Sequence, residues 1–332
     1  VRRSYTFLLR PTARQAAALA ACLEDHRQLY NAALEHRRTA YAKAGATIRY
    51  GDQSAELKHI RADDPGGQGR WSFSSQQATL RRLDKAFRAF FTRVKAGRTP
   101  GFPRFKGRGR FGTVIWPKDG DGCRWDSQPE HPTATYVRLQ GVGHVRVHRH
   151  RPVRGKVKTI SVKREGSRWY VVLSCDEVPA QSLPATGAAA GIDLGVASLV
   201  TTSDGGHLGN PRHLAASADR LAAAQRDLAR KKRGSKRRRK AVARVAALHA
   251  TVRRQRLDHA HKAESAGREL IAVNPADTSR TCARCGHCAK ENRLTQAAFR
   301  CTACGHEAHA DVNAAINILR AGLALREAAQ AA

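Results

Sequence analysis

The chain has no methionine in its 332 residues and begins at Val1, as a GTG start or a trimmed end would each produce. Acidic residues are scarce: 27 Asp and Glu stand against 60 Lys and Arg, a formal charge of +33 with a pI near 11.1. Such a chain repels itself unless a polyanion neutralises it. Nucleic acid is therefore the first partner to consider and an anionic membrane surface the second, while a small-metabolite enzyme fits poorly. Long apolar runs are missing too. The longest weakly polar stretch, residues 185–202, contains Asp193 and is rich in Gly and Ala, which argues against a membrane span and for a soluble protein. The run Tyr5–Leu9 is too short for a signal-peptide core and meets Arg10-Pro11 at once, so secretion is not expected. Cysteines are few, eight in all, and five of them crowd between Cys282 and Cys304. That clustering suits a metal in a reducing cytoplasm better than a disulfide framework. Gly (27) and Pro (12) are near ordinary usage, which excludes collagen-like or linker-type sequence, and the 41% apolar content excludes a wholly disordered basic tail.

Hydrophobic periodicity organises the chain. Residues 4–9 are β-prone; Leu19, Leu23, Tyr30 and Leu34 then recur at helical spacing, predicting a helix over 12–44. A second helix is expected from a Ser74/Gln77 capping box through Leu80, Leu83, Phe87 and Val94 to Gly97, after a loop at 63–67. Strands are expected at 113–116, 135–139, 144–148, 157–163 and 168–175, with a spacing that suggests a small barrel or sandwich. The strand at 4–9 joins it, leaving the helices of 12–98 as an insertion. Residues 180–190 then read as a linker. Beyond it, Gly191–Val196 and 198–202 are strands, 214–232 and 236–268 are helical, 270–273 is a short strand and Asp311–Leu319 opens a last helix.

Cys282-x2-Cys285 and Cys301-x2-Cys304, each pair followed by a glycine (Gly286, Gly305), have the spacing of a four-thiolate zinc ribbon. Cys22, Cys123 and Cys175 read as small core hydrophobes. Asp193 interrupts an apolar strand, where an unpaired carboxylate is costly unless a cation offsets it; the competing reading is the exposed edge of a turn. Asp311 could be an ordinary N-cap. Taken together in a polyanion-binding chain, the two are candidate Mg²⁺ ligands for phosphodiester hydrolysis. In the segment 99–112, aromatics interleave with Arg104, Lys106, Arg108 and Arg110, as a nucleic-acid-facing loop requires. Gly107, Gly109 and Gly112 match G-x-G-x-x-G, but no strand precedes them, so a dinucleotide site is rejected. Arg230, Lys231, Lys232, Arg233, Lys236, Arg237, Arg238, Arg239 and Lys240 place nine cations in eleven residues without a single Glu between them. RNA or heteroduplex contact would relieve their repulsion.

With these residues in hand, the chain resembles the TnpB/OrfB proteins of insertion sequences, relatives of type V CRISPR effectors. The resemblance rests on Gly191-Ile192-Asp193-Leu194-Gly195, on the run from Val273 through Cys282 and Cys285, on Cys301-x2-Cys304-Gly305-His306-x4-Asp311-x-Asn313-Ala314-Ala315-x-Asn317, and on Pro103-Arg104-Phe105-Lys106. It implies a multidomain α+β fold. A β-barrel wedge domain would occupy 1–11 plus 99–180, with a helical recognition insertion at 12–98. An RNase H-like (RuvC) domain would occupy 181–332, with a zinc ribbon at about 278–308. It further implies a transposon-derived guide RNA, a double-stranded DNA target, structural Zn²⁺, catalytic Mg²⁺ and a bacterial cytoplasmic location, at the nucleoid when DNA is bound. No membrane partner and no particular oligomeric state follow from it.

The family cuts with an Asp, Glu, Asp triad, of which Asp193 would be the first member and Asp311 the third. The middle Glu, on a hydrophobic strand of its own, has no counterpart. Between Gly205 and Leu270 the acids are Asp219, Asp227, Asp258, Glu264 and Glu269, and the first four lie in helical text. The junction His261-Lys262-Ala263-Glu264 looks like two family segments joined across an in-frame deletion. The expectation is a TnpB-like, RNA-guided DNA-binding protein with an impaired nuclease centre. The alternatives are an active endonuclease recruiting Glu269 or Glu264, and a remnant that binds nucleic acid through charge alone.

Overall fold

The computed structural model of the chain describes residues 1–179, 187–264 and 270–331, except for the side chains of 259–264 and of 331. The chain falls into two compact units, Val1–Ala180 and Gln181–Ala332.

In the first unit, β1 (Arg3–Arg10) is followed by α1 (Ala13–Ala44), α2 (Tyr50–Asp63) and α3 (Phe73–Lys95). Six strands come next: β2 (Thr113–Trp116), β3 (Cys123–Trp125), β4 (Thr135–Leu139), β5 (Gly143–His148), β6 (Lys156–Glu165) and β7 (Arg168–Asp176). All seven strands form one antiparallel sheet in the order β2-β6-β7-β1-β5-β4-β3, so the first strand of the chain lies at its centre. Alternation is the cause. Tyr5, Phe7 and Leu9 point to one face and are buried, and Phe7 lies opposite Val171, which lies opposite Val162.

Helix α1 starts with a capping box in which Thr12 Oγ1 accepts from the Gln15 N–H and Gln15 Oε1 accepts from the Thr12 N–H. The expected box at Ser74 and Gln77 is not the cap of α3. Ser72 is, accepting from the Ser75 N–H, because the helix already includes Phe73. Helix α2 has no expectation behind it. It buries only Gln53 and Leu57, and it is held by Arg37 Nε donating to Gln53 Oε1 (2.9 Å) and by Gln53 Nε2 donating to the Ala33 carbonyl (2.8 Å).

His26, fully buried on α1, links it to α3. Its Nδ1 hydrogen-bonds the Cys22 carbonyl at 2.7 Å and its Nε2 lies 2.9 Å from Ser75 Oγ, whose hydroxyl donates to the Ser72 carbonyl. Burial pulls the imidazole down to about 4 from its usual 6.5. The unfolded chain therefore binds a proton that the folded chain refuses between those two values. Stability present above pH 6.5 is lost as pH falls towards 4, by about 3 kcal/mol. Denaturant melts of the wild type and of His26→Gln between pH 4 and 7 should show a flatter pH dependence in the variant, and parallel curves would exclude His26 as the source.

In the second unit, β8 (Ile192–Asp193), β9 (Ser198–Thr202) and β10 (His207–Gly209) form a small antiparallel sheet in the order β10-β9-β8. Helices α4 (Ala218–Ala229) and α5 (Lys236–Glu264) pack as a hairpin. The ribbon strands β11 (Ala298–Arg300) and β12 (Glu307–His309) lead into α6 (Ala310–Ala331). The strand expected at 270–273 does not form: Leu270 is exposed, and Val273 packs instead against α6 at Gly322. Nor is Gly191–Val196 a long buried strand. Only two of its residues pair, and Ile192, Leu194 and Val196 are 42%, 75% and 72% exposed. The reason is positional, since β8 is the edge strand and no strand among the described residues covers its outer side. No helix among the described residues is long and apolar enough to cross a membrane.

Candidate metal centre and nuclease site

The two Cys-x2-Cys pairs form matching knuckles. The Cys282 N–H donates to the His287 carbonyl and the Gly286 N–H to the Cys282 carbonyl; Cys301 with His306, and Gly305 with Cys301, repeat the pattern. Gly286 (φ +77°) and Gly305 (φ +71°) turn the chain through the left-handed region, where a side chain would strain it. The four sulfurs lie within 4.8 Å of one another, with Cys282–Cys304 at 3.8 Å and Cys285–Cys301 at 3.6 Å. Four thiolates tetrahedrally placed at about 2.3 Å from one ion stand about 3.8 Å apart, so the donor set fits zinc. The thiols are in conflict as they stand. Burial raises Cys301, yet the N–H groups of Cys304 and Ala303 and the neighbouring thiols bring it down to about 6. The His287 N–H lowers Cys285, but the sulfurs around it outweigh that and push it up to about 12. A dication favours every thiolate at once.

Three asparagines that sequence reasoning left without a role tie the ribbon together. Asn292, fully buried, donates to the Arg280 and His287 carbonyls and accepts from the Thr302 N–H and hydroxyl. Asn313 on α6 accepts from the Ala283 N–H and donates to the Thr281 carbonyl, and Asn317, one turn on, donates to the Thr278 and Thr281 carbonyls. The i, i+4 spacing of Asn313 and Asn317 on one helix face was the readable signal.

Asp193 ends β8, and Asp311 is the second residue of α6. The strand reaches the helix through Gly191, where a Cβ would collide with the Ala315 carbonyl oxygen, and through the buried Ala314 and Ala315. Asp311 is 5% exposed, and a Cβ on Gly195 would stand 3.6 Å from its Oδ2. Burial first, then the Asp311 charge, push the Asp193 carboxyl above its ordinary value, against the Leu194 N–H and the Arg293 charge. Arg293, from the ribbon, places its guanidinium 3.2 Å from Asp311 Oδ1 and also donates to the Gln296 carbonyl. The Asp311 N–H donates to His309 Nδ1, and the His309 ring stands edge-on to that of His207 at 5.1 Å. The structure thus brings the two expected carboxylates together and adds Arg293, His309 and His207, which carried no sequence signal. Glu269 lies outside the described residues. Glu264 ends α5, but its side chain is likewise outside them. Among the described residues no third carboxylate joins the pair, and the residues present do not fit a two-metal centre.

Of the cations expected on nucleic acid, Arg104 and Arg110 are exposed, while Arg108, 89% exposed, lies 3.9 Å from Glu24. Lys106 is half-buried with its ammonium 5.5 Å from the centre of the Tyr30 ring. In the run from Arg230 to Lys240, two cations serve the fold: Lys231 pairs with Asp227 at 2.9 Å, and Arg238 donates to the Leu228 and Lys231 carbonyls. Arg230, Lys232, Arg233, Lys236, Arg237, Arg239 and Lys240 are exposed.

Three family models match the chain: a helix-turn-helix domain of OrfB type over residues 1–46, the OrfB model described as a probable transposase over 162–266, and a Cas12f1-like TNB domain over 255–318. Two of these models are OrfB models, so the chain is similar to the TnpB/OrfB proteins of insertion sequences. It is similar to the Escherichia coli K12 protein named "Putative RNA-guided DNA endonuclease InsQ", 27% identical over 97% of this chain and 93% of that one. It is 29% identical to a Streptomyces pristinaespiralis protein named "Putative RNA-guided DNA endonuclease" over 98% of this chain and 90% of that one. A Sulfoacidibacillus thermotolerans protein named "CRISPR-associated endodeoxyribonuclease Cas12f1" shares 52% identity over 58 residues, 18% of this chain and 14% of that one. A solved Cas12f1–sgRNA–target DNA complex overlays 96% of this chain and 99% of that one at 15% identity and a TM-score of 0.34. The first match, named for a helix-turn-helix, falls here on β1 and the single long helix α1.

Proposed function

We propose that the chain is an RNA-guided DNA-binding protein of the TnpB kind, whose nuclease centre is impaired because the strand carrying the middle Glu has been lost. On this reading 1–11 plus 99–180 are the wedge domain, 12–98 the helical recognition insertion, and 181–332 a RuvC-like domain without its middle part. The ribbon at about 278–308 holds structural zinc through Cys282, Cys285, Cys301 and Cys304. One observation carries the reading: β8, which bears Asp193, is an edge strand with its apolar residues exposed, and among the described residues no third carboxylate joins the Asp193–Asp311 pair, beside which stand Arg293 and His309. A missing neighbour strand accounts for both. The relatives support the same account. The alignment with the Escherichia coli protein runs to 389 positions, longer than this whole chain of 332 residues, so that protein carries residues with no counterpart here. The probable-transposase and TNB models also overlap at 255–266, across the junction at 261–264.

Mg²⁺ held between carboxylates would supply Lewis acidity and a metal-bound nucleophile. The residues described do not complete that site, and Arg293 already neutralises Asp311. What this chain's residues retain is binding, through phosphate contacts made away from the carboxylates. The test is RNA dependence. RNA that copurifies with the chain should be enriched in one structured species, and binding to matching duplex DNA should fall at least ten-fold after RNase treatment. Copurified RNA of random sequence, with DNA binding unchanged by RNase, would leave only charge-driven binding.

A further inference from the structure

We infer that the phenylalanine cluster at the C-terminal end of α3 is a stacking platform for unpaired nucleobases, a reading that deepens the nucleic-acid role proposed above and rests on it. Phe87, Phe90 and Phe91 of α3 and Phe102 of the following loop form one group, with ring centroids 5.1 to 6.4 Å apart. Phe87 anchors the group on the core of the first unit, whereas Phe91 and Phe102 are 55% and 45% exposed. Phe105 is also exposed, with the Arg38 guanidinium 5.3 Å from its ring centre. The loop that presents Phe102 and Phe105 is pinned to α1. The Lys106 N–H donates to Asn31 Oδ1, and its carbonyl accepts from Asn31 Nδ2 and from Arg27. The rings are therefore held in place before any ligand arrives, which lowers the ordering cost of binding.

Charge selects the occupant. From Asp84 to Asp119 the chain has no acidic residue and ten Lys or Arg. A second copy would bring the same cations, on a molecule of charge +33, against this face. An apolar protein surface would bury the rings and leave the cations unpaired. Unpaired nucleic acid offers flat apolar faces and a phosphate beside each of them, and so satisfies rings and cations together. Duplex DNA hides those faces in its own stack.

The test compares oligothymidylate with an abasic strand of the same length, titrated against the full chain by fluorescence anisotropy. Phe91→Ala/Phe102→Ala should weaken binding to oligothymidylate by about ten-fold, leave the abasic strand unaffected, and leave the salt slope unchanged because the phosphate contacts remain. Both side chains are exposed, so denaturant melts should not move. Phe102→Trp keeps a ring and adds a signal: its fluorescence should be quenched by oligothymidylate and not by the abasic strand. Equal losses on both strands, no loss, no quenching, or a dimer that the double variant dissociates in sedimentation would overturn the platform. If the wild type bound neither strand, the nucleic-acid role itself would fall, which is a different result from equal binding of both.

Discussion

Removing the zinc proposed for the four-cysteine cluster, by chelation or by Cys304→Ser, is expected to unfold the ribbon outright. The buried apolar cluster there is only Cys282, Phe299, Cys301 and Ala310, far too little to offset the entropy of ordering some thirty residues. Apparent binding energies of about 10–16 kcal/mol for structural zinc in small finger peptides show what a metal supplies in such a case. Elemental analysis of protein purified without added metal should find one zinc per chain. After its removal, limited proteolysis should cut within 278–308, and Asn313 and Asn317 should lose the carbonyls that they hold. The first unit, with its own large core, should melt as before. A metal-free ribbon equally resistant to protease would refute the assignment.

The second large effect is in salt. With +33 charges and seven exposed cations between Arg230 and Lys240, RNA affinity should fall steeply as ionic strength rises. A protein making six to ten phosphate contacts loses about 1,000- to 100,000-fold in affinity between 50 and 200 mM salt. Replacing those seven cations by Gln, while keeping Lys231 and Arg238, should flatten the slope of log affinity against log salt by several units. Arg238 is spared because its bonds to the Leu228 and Lys231 carbonyls close the turn between α4 and α5. An unchanged slope would place the RNA elsewhere on the chain.

The contrast between Arg238 and its neighbours illustrates what a sequence can and cannot tell. Periodicity and spacing are local, and what depended on them was legible: the β-prone run at 4–9, the stripe of α1 and the two cysteine knuckles. Short or narrowly buried elements were not. β3 is three residues long, and α2 rests on Leu57 and on a Gln53 that reaches across to Arg37 and Ala33. The strand expected at 270–273 has apolar residues enough, but a strand needs an edge to pair with, which composition does not record. At the candidate site, Asp193 and Asp311 stood out as carboxylates in apolar text, whereas Arg293 meets Asp311 only because the ribbon folds back on α6. That the Lys106 ammonium lies 5.5 Å from the centre of the Tyr30 ring was likewise not to be read from a basic loop.

Cleavage tests the central claim most directly. Among the described residues no third carboxylate joins Asp193 and Asp311, the latter already paired with Arg293, so on the proposed reading most of the rate should be gone while binding persists. The guide-loaded protein, given its matching duplex in Mg²⁺ or Mn²⁺, should bind the target and leave it uncut, and Asp193→Ala should bind it with the same affinity. Robust cutting of the target that disappears in Asp193→Ala would contradict the impaired centre, and its loss in Glu269→Ala or Glu264→Ala as well would identify the carboxylate that had taken the missing place.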